Sequence, residues 1–181
     1  VKENGARLIG FGRYAGLVGA YNGFRAIGLT KGTFKLPKAE VLDNQKELIR
    51  ELNKINISNI KILLTGNGKV AYGAKEMLDA MNIKQVSVDE YLTQNFNEPV
   101  YCFLDVLDYN KRKDGQVIDN YDFYNHPEKY ESNFMRFAEV TDFFIAGHFY
   151  GNGAPYLFTR EDAKHPSFKI NLVGDISCDV D

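Results

Sequence analysis

Three observations predict an α/β fold, a doubly wound parallel sheet with helices on both faces. Apolar runs alternate with helical stretches through the last two-thirds of the chain. A glycine-rich turn stands directly between the first such run and a helical pattern. The first such run, Ile60–Leu64, is short and apolar, and alternation of this kind argues for a parallel sheet covered on both faces.

The first element is a helix over residues 12 to 28, with Tyr14, Leu17, Val18, Tyr21 and Phe24 at helical spacing. Gly12, Gly16, Gly19 and Gly23 run along it as a smooth ridge. Glycine inside a helix costs about 1 kcal/mol relative to alanine, so the ridge calls for a close packing contact. A second helix is expected over Val41 to Ile55, with Leu42, Leu48, Ile49, Leu52 and Ile55 on one face.

The first strand is expected at Ile60–Leu64, and it runs into Gly66-x-Gly68-x-x-Ala71. This order suits a phosphate-binding turn. Gly66 permits the tight turn, Gly68 lets backbone approach a pyrophosphate, and Ala71 lets helix and strand pack closely. The following helix carries Val70, Ala74, Met77, Leu78 and Met81 on one face, and its N-terminal amides would receive the anion. A Rossmann-like dinucleotide site is therefore expected at Gly66, Asn67, Gly68, Lys69 and Val70.

Further strands are expected at Gln85–Val88, Val100–Leu104, Asp142–Ala146 and Lys169–Gly174. In a dinucleotide fold an acid about 20 residues past the glycines accepts the adenosine ribose hydroxyl. Asp89 stands 23 positions after Gly66, with Glu90 as its neighbour and competitor. An acid there favours NAD over NADP; a helix cap or surface carboxylate is the alternative. Residues 105 to 133, including Lys111-Arg-Lys-Asp-Gly115, are expected to form a solvated insertion with a short helix after Pro127. Thr159 and Asp162 have the spacing of a capping box.

The loop Gly147, His148, Phe149 and Tyr150 follows the fourth strand and should cross the carboxyl ends of the strands, where ligands meet such sheets. His148 could relay a proton, although a histidine in a loop is more often an ordinary polar contact. Asp175-Ile-Ser-Cys-Asp179 places two carboxylates just past the last strand, suited to a substrate ammonium or to a loop cap.

Composition excludes several classes. The net charge of -2 has no basic run behind it, so no nucleic-acid surface is expected. The most apolar stretch, Ala6 to Leu29, is broken by Arg7, Arg13, Asn22 and Arg25, which excludes a membrane span. Cys102 and Cys178 read as buried thiols in a reducing, cytoplasmic setting. The histidines and cysteines lack metal-ligand spacing. The chain starts at Val1 and stops just past a strand, so it is expected to be part of a longer protein.

Together these segments resemble the lysine-ketoglutarate reductase and saccharopine dehydrogenase family, related to alanine dehydrogenase. The resemblance runs through Arg7–Gly16, Thr65–Ala74, Asn125–Tyr130, Leu157–Ala163 and Asp175–Asp179. His-Pro-Glu-Lys-Tyr and Asp-Ile-Ser-Cys-Asp look most like the reductase branch, and residues 12–21 also resemble the linker helix of alanine dehydrogenases. It implies a two-domain enzyme, with residues 1–30 as a linker helix and 31–181 as the cofactor domain. The substrate domain, with an acid–base Lys and His, would lie upstream of Val1. The implied reaction condenses lysine with 2-oxoglutarate and reduces the imine by hydride to saccharopine, or reverses this. By the same resemblance Asp179 matches an active-site aspartate, and Arg7 is a substrate-side candidate. Asp89 departs toward the NAD-using members, whereas reductases of this family often use NADPH. An alanine dehydrogenase-type domain, or a nucleotide-sensing module without catalysis, are the alternatives, and a homo-oligomer is compatible with each.

Overall fold

A computed structural model describes residues 10–151 and 153–177. Helix α1 (Gly12–Lys31) leads to α2 (Gln45–Leu52), and strand β1 (Lys61–Thr65) runs into α3 (Lys69–Ala80). Next come β2 (Lys84–Gln85), α4 (Val88–Thr93), β3 (Val100–Leu104), α5 (Val106–Tyr109) and β4 (Asn110–Arg112). The chain continues through α6 (Asn120–Asn125), β5 (Tyr130–Ser132), α7 (Met135–Ala138), β6 (Phe143–Ala146) and β7 (Leu172–Asp175).

Five strands form a parallel sheet in the order β2-β3-β1-β6-β7. β1 is central because four of its five residues are buried, and a parallel strand covered on both faces needs such an apolar run. Its side chains alternate between two cores. Ile62 and Leu64 join Leu17, Tyr21, Phe24, Met77 and Phe143 under α1 and α3. Leu63 joins Cys102, Phe134, Phe137 and Phe144 on the other face. Each fully buried Phe contributes about 1.5–3 kcal/mol through burial. The Cys102 thiol is pushed up to about 12 by burial and then by Asp108, so it is inert packing.

The glycine ridge of α1 is a packing seam. A Cβ on Gly16 would lie 2.0 Å from the Val70 carbonyl oxygen, and one on Gly73 of α3 would lie 2.1 Å from that of Arg13. Two backbones thus meet directly, and the contact offsets the helical cost of glycine. Gly23 makes room for the Phe143 ring in the same way. α1 runs to Lys31, where Gly32 ends it at φ 65°.

Three expectations are corrected. The second helix is shorter than Val41–Ile55, because the Asn44 side chain accepts the Glu47 N–H and starts it at Gln45. The second strand stops at Gln85, because Ser87 and Glu90 form a capping box that commits Ser87 to starting α4. Residues 105 to 133 are solvated over 113–119, as expected, but they are not a bare loop. They form an antiparallel pair, β4 with β5, and bury Tyr109, Asn110, Phe123 and Tyr130. Pro127 opens only a single 3-10 turn, Pro127–Lys129. Thr159 and Asp162 do exchange backbone-to-side-chain hydrogen bonds, of 2.7 and 3.1 Å, ahead of the short 3-10 turn Asp162–Lys164.

Candidate functional site

The carboxyl end of β1 is where the sheet divides: β3 and β2 lie on one side, β6 and β7 on the other. Loops leaving β1 and β6 therefore diverge around a crevice, the place where open α/β sheets take ligands. A cleft of about 420 Å³ opens there, lined by Asn67–Val70, Gly147–Phe149, Asn120, Tyr124, Ile176 and Ser177.

Gly66 closes the turn at φ 113°, and its N–H donates to the Leu104 carbonyl at 3.0 Å. A Cβ there would meet the Gly147 oxygen at 2.5 Å, so turn and β6 loop are packed backbone to backbone. Gly147 in turn sits against Ala71, where an added Cβ would be 3.0 Å from the Ala71 Cα. Gly68 differs. It caps α3, and a Cβ added to it would meet nothing within 4 Å. The first turn of α3 has no acidic residue, so the positive end of the helix dipole faces the cleft uncompensated from within that turn.

Lys69 and Val70 line the cleft from that first turn. His148 approaches from the β6 side: its Nδ1 lies 2.7 Å from the buried Thr65 hydroxyl, and its ring stacks on Phe144. Phe149 is 71% exposed beside it. Tyr150 does not line this cleft. Its hydroxyl donates to the Ala154 carbonyl at 2.8 Å, and its ring stacks on Tyr156 in a neighbouring depression of about 220 Å³ that shares His148 and Ser177.

Asp89 fits the alternative reading, a surface carboxylate in the first turn of a helix, rather than the end of a strand beside β1. It is exposed in the first turn of α4, following β2, and β2 pairs with β3 rather than with β1. Glu90 is occupied too: it accepts the Ser87 N–H and hydroxyl, and the backbone bond holds its carboxyl below the usual range. The acid at the carboxyl end of β1's own neighbour is Asp105, directly after β3. Its Oδ1 accepts the Val106 N–H at 2.7 Å. Its Oδ2 accepts from Asn67 Nδ2 at 3.3 Å and from Asn120 Nδ2 at 2.7 Å. Asp105, Asn120 and Tyr124 were missed because the insertion read as solvated; the available signal was an acid immediately after an apolar strand.

At the far edge, Asp175 ends β7 and its Oδ1 accepts the Ser177 N–H and hydroxyl at 2.9 and 2.6 Å. Arg7, Cys178 and Asp179 lie outside the described residues.

No protein-family model matches the chain. Among curated proteins, mitochondrial alpha-aminoadipic semialdehyde synthase of Mus musculus is 25% identical over 91% of this chain. The Arabidopsis thaliana alpha-aminoadipic semialdehyde synthase is 24% identical over 99% of it, and the mitochondrial Bos taurus protein 26% over 91%. This chain resembles the alpha-aminoadipic semialdehyde synthases. The finding agrees with the lysine-ketoglutarate reductase and saccharopine dehydrogenase resemblance carried by the motifs. The chain spans about 20% of the length of these relatives. Among the described residues, no helix is long and apolar enough to cross a membrane.

Proposed function

We propose that this chain is the nicotinamide-dinucleotide-binding domain of an oxidoreductase of the saccharopine dehydrogenase and lysine-ketoglutarate reductase type. In this reading residues 31–181 bind the cofactor, and residues 1–30 connect to a substrate domain elsewhere in the protein. The observation that carries the reading is Gly68. Packing gives no reason for a glycine there, since a Cβ would meet nothing within 4 Å, yet the space before it is the mouth of the cleft. A pyrophosphate approaching the amides of α3 would use that space.

When bound, the nicotinamide would supply hydride chemistry. The chain's own residues bind and orient. Gly68, Lys69 and Val70 would hold the pyrophosphate, and Gly147, His148 and Phe149 would border the cofactor from the β6 side. His148, fixed by Thr65, can hold a proton at the cleft wall. Ile176 and Ser177 close the end nearest β7, and Asp179 and Arg7 are proposed as substrate-side residues. The resemblance supports an amino acid and a 2-oxo acid as substrates.

Gly68→Val tests the site. The added side chain enters open space, so the fold should persist while NADH binding falls by at least about 30-fold through steric exclusion of the pyrophosphate. Unchanged NADH affinity in a folded variant would remove the cleft as the cofactor site.

A further inference from the structure

We propose that Asp105, clamped between Asn67 and Asn120, makes the cleft select NAD(H) and refuse NADP(H). The inference rests on the cleft being a nicotinamide dinucleotide site.

Strand order decides which acid can do this. In the strand order 3-2-1-4-5-6 of dinucleotide folds, the second strand is hydrogen-bonded to the first, and an acid past the glycine turn meets the ribose hydroxyls. Here that neighbour is β3, with Thr65 of β1 opposite Leu104. The Gly66 N–H donates to the Leu104 carbonyl, which puts Asp105 beside the turn. Asp105 stands 39 positions after Gly66, so it is strand pairing rather than the spacing of about 20 that places it. Asp89 is excluded by the same topology, since it follows the edge strand β2, one strand farther out.

Asp105 is also held in place. Its N–H donates to Asp108 Oδ2 at 2.7 Å, its Oδ1 caps α5, and its Oδ2 takes the two amides. Both amides belong to residues lining the cleft: Asn67 comes from the glycine turn and Asn120 from the insertion. Such a carboxylate can accept one more hydrogen bond from a ribose hydroxyl. A 2′-phosphate, acceptor-only and carrying about -1.5 to -2 charges, would meet it as a like charge.

Lys111, Arg112 and Lys113 of the insertion all have partners of their own. Lys111 pairs with Glu131 at 3.1 Å, and Arg112 with Asp114 and Asp122 at 2.9 and 2.5 Å. Lys113 Nζ donates to the Glu128 carbonyl at 2.8 Å. Lys69 is the one Lys or Arg lining the cleft among the described residues. It stands in the first turn of α3, where the pyrophosphate itself would need the charge.

Saturation-transfer NMR titrations with NADH and NADPH, on the chain and on Asp105→Ser and Asp89→Asn, test the assignment. Serine keeps a side-chain oxygen for the α5 cap, and circular dichroism checks the fold. The unsubstituted chain should bind NADH about tenfold or more tighter than NADPH, Asp105→Ser should bring the ratio within about threefold, and Asp89→Asn should leave it alone. Preference for NADPH, or an unchanged ratio in Asp105→Ser, overturns the proposal. Equal binding of both by the unsubstituted chain overturns the selectivity while the cleft reading stands. Binding of neither overturns both.

Discussion

Gly66 and Gly68 occupy one turn but answer to different demands. Gly66 sits at φ 113° with its missing Cβ directed at the Gly147 oxygen, so Gly66→Ala is strained in backbone and contact together. It should lose about 2–4 kcal/mol of stability, read from the urea midpoint, because both chains of the contact are backbone. Gly68→Ala has open space and an extended φ of -110°, and should stay within about 1 kcal/mol of the parent. Equal losses would mean the turn is not packed as described. At this scale the sequence was informative where a residue's role follows from its neighbours along the chain. Gly66, Gly68 and Ala71 were legible because strand, turn and helix are consecutive, and His148 because it follows an apolar strand. Asp105 was not. An acid directly after an apolar strand is visible in the sequence, but which strand pairs with β1 is not, and that pairing sets its place.

Among elements, the insertion carries the largest correction. A polar, aromatic stretch reads as solvated, and residues 113–119 are, but its ends fold into a small unit around one shielded ion pair. Arg112 and Asp122 are only 12% and 16% exposed and lie 2.5 Å apart. The Asp122 carboxyl is held below the usual carboxylate range, first by the Tyr130 hydroxyl and then by Arg112. A carboxyl with a lowered folded pKa stabilises at every pH above its unfolded value, about 3.9, and loses that contribution as pH falls through the lower folded value. The β4–β5 unit should therefore loosen below about pH 4, ahead of the sheet. Pepsin should then cut first near Phe123 and Tyr124, and Asp122→Asn should expose the same sites to chymotrypsin at neutral pH. Cleavage of the central strands at the same rate as the insertion would show that the unit has no separate stability. The main helices and the apolar strands were legible from period alone. Their ends were not, because Asn44, Ser87 and Gly32 set the boundaries through caps and turns rather than through hydrophobic pattern.

For the whole molecule, the cleft has one wall of aromatic and glycine-rich loops and an open side. Phe149 and Tyr156 are 71% and 73% exposed beside it. Hydride transfer to an imine needs the carbon held against the nicotinamide and a proton donor for the nitrogen. Well-oriented groups can supply roughly 7–11 kcal/mol of barrier reduction, but only when both reactants are fixed together. The chain spans about 20% of the length of its relatives, and the acid–base Lys and His implied by the family resemblance are not assigned to any residue of this chain. On the proposed reading this chain by itself should bind a nicotinamide dinucleotide yet oxidise no NADH or NADPH with lysine and 2-oxoglutarate. In a longer protein carrying the substrate domain, Asp179→Ala should lower kcat by about 10²-fold or more while NADH affinity stays within about twofold, because the residue is proposed to face substrate. Turnover by the chain alone, followed at 340 nm, would place the chemistry within these residues. A full-rate Asp179→Ala protein would remove that aspartate from the substrate side and leave the pyrophosphate cleft at Gly68 untouched.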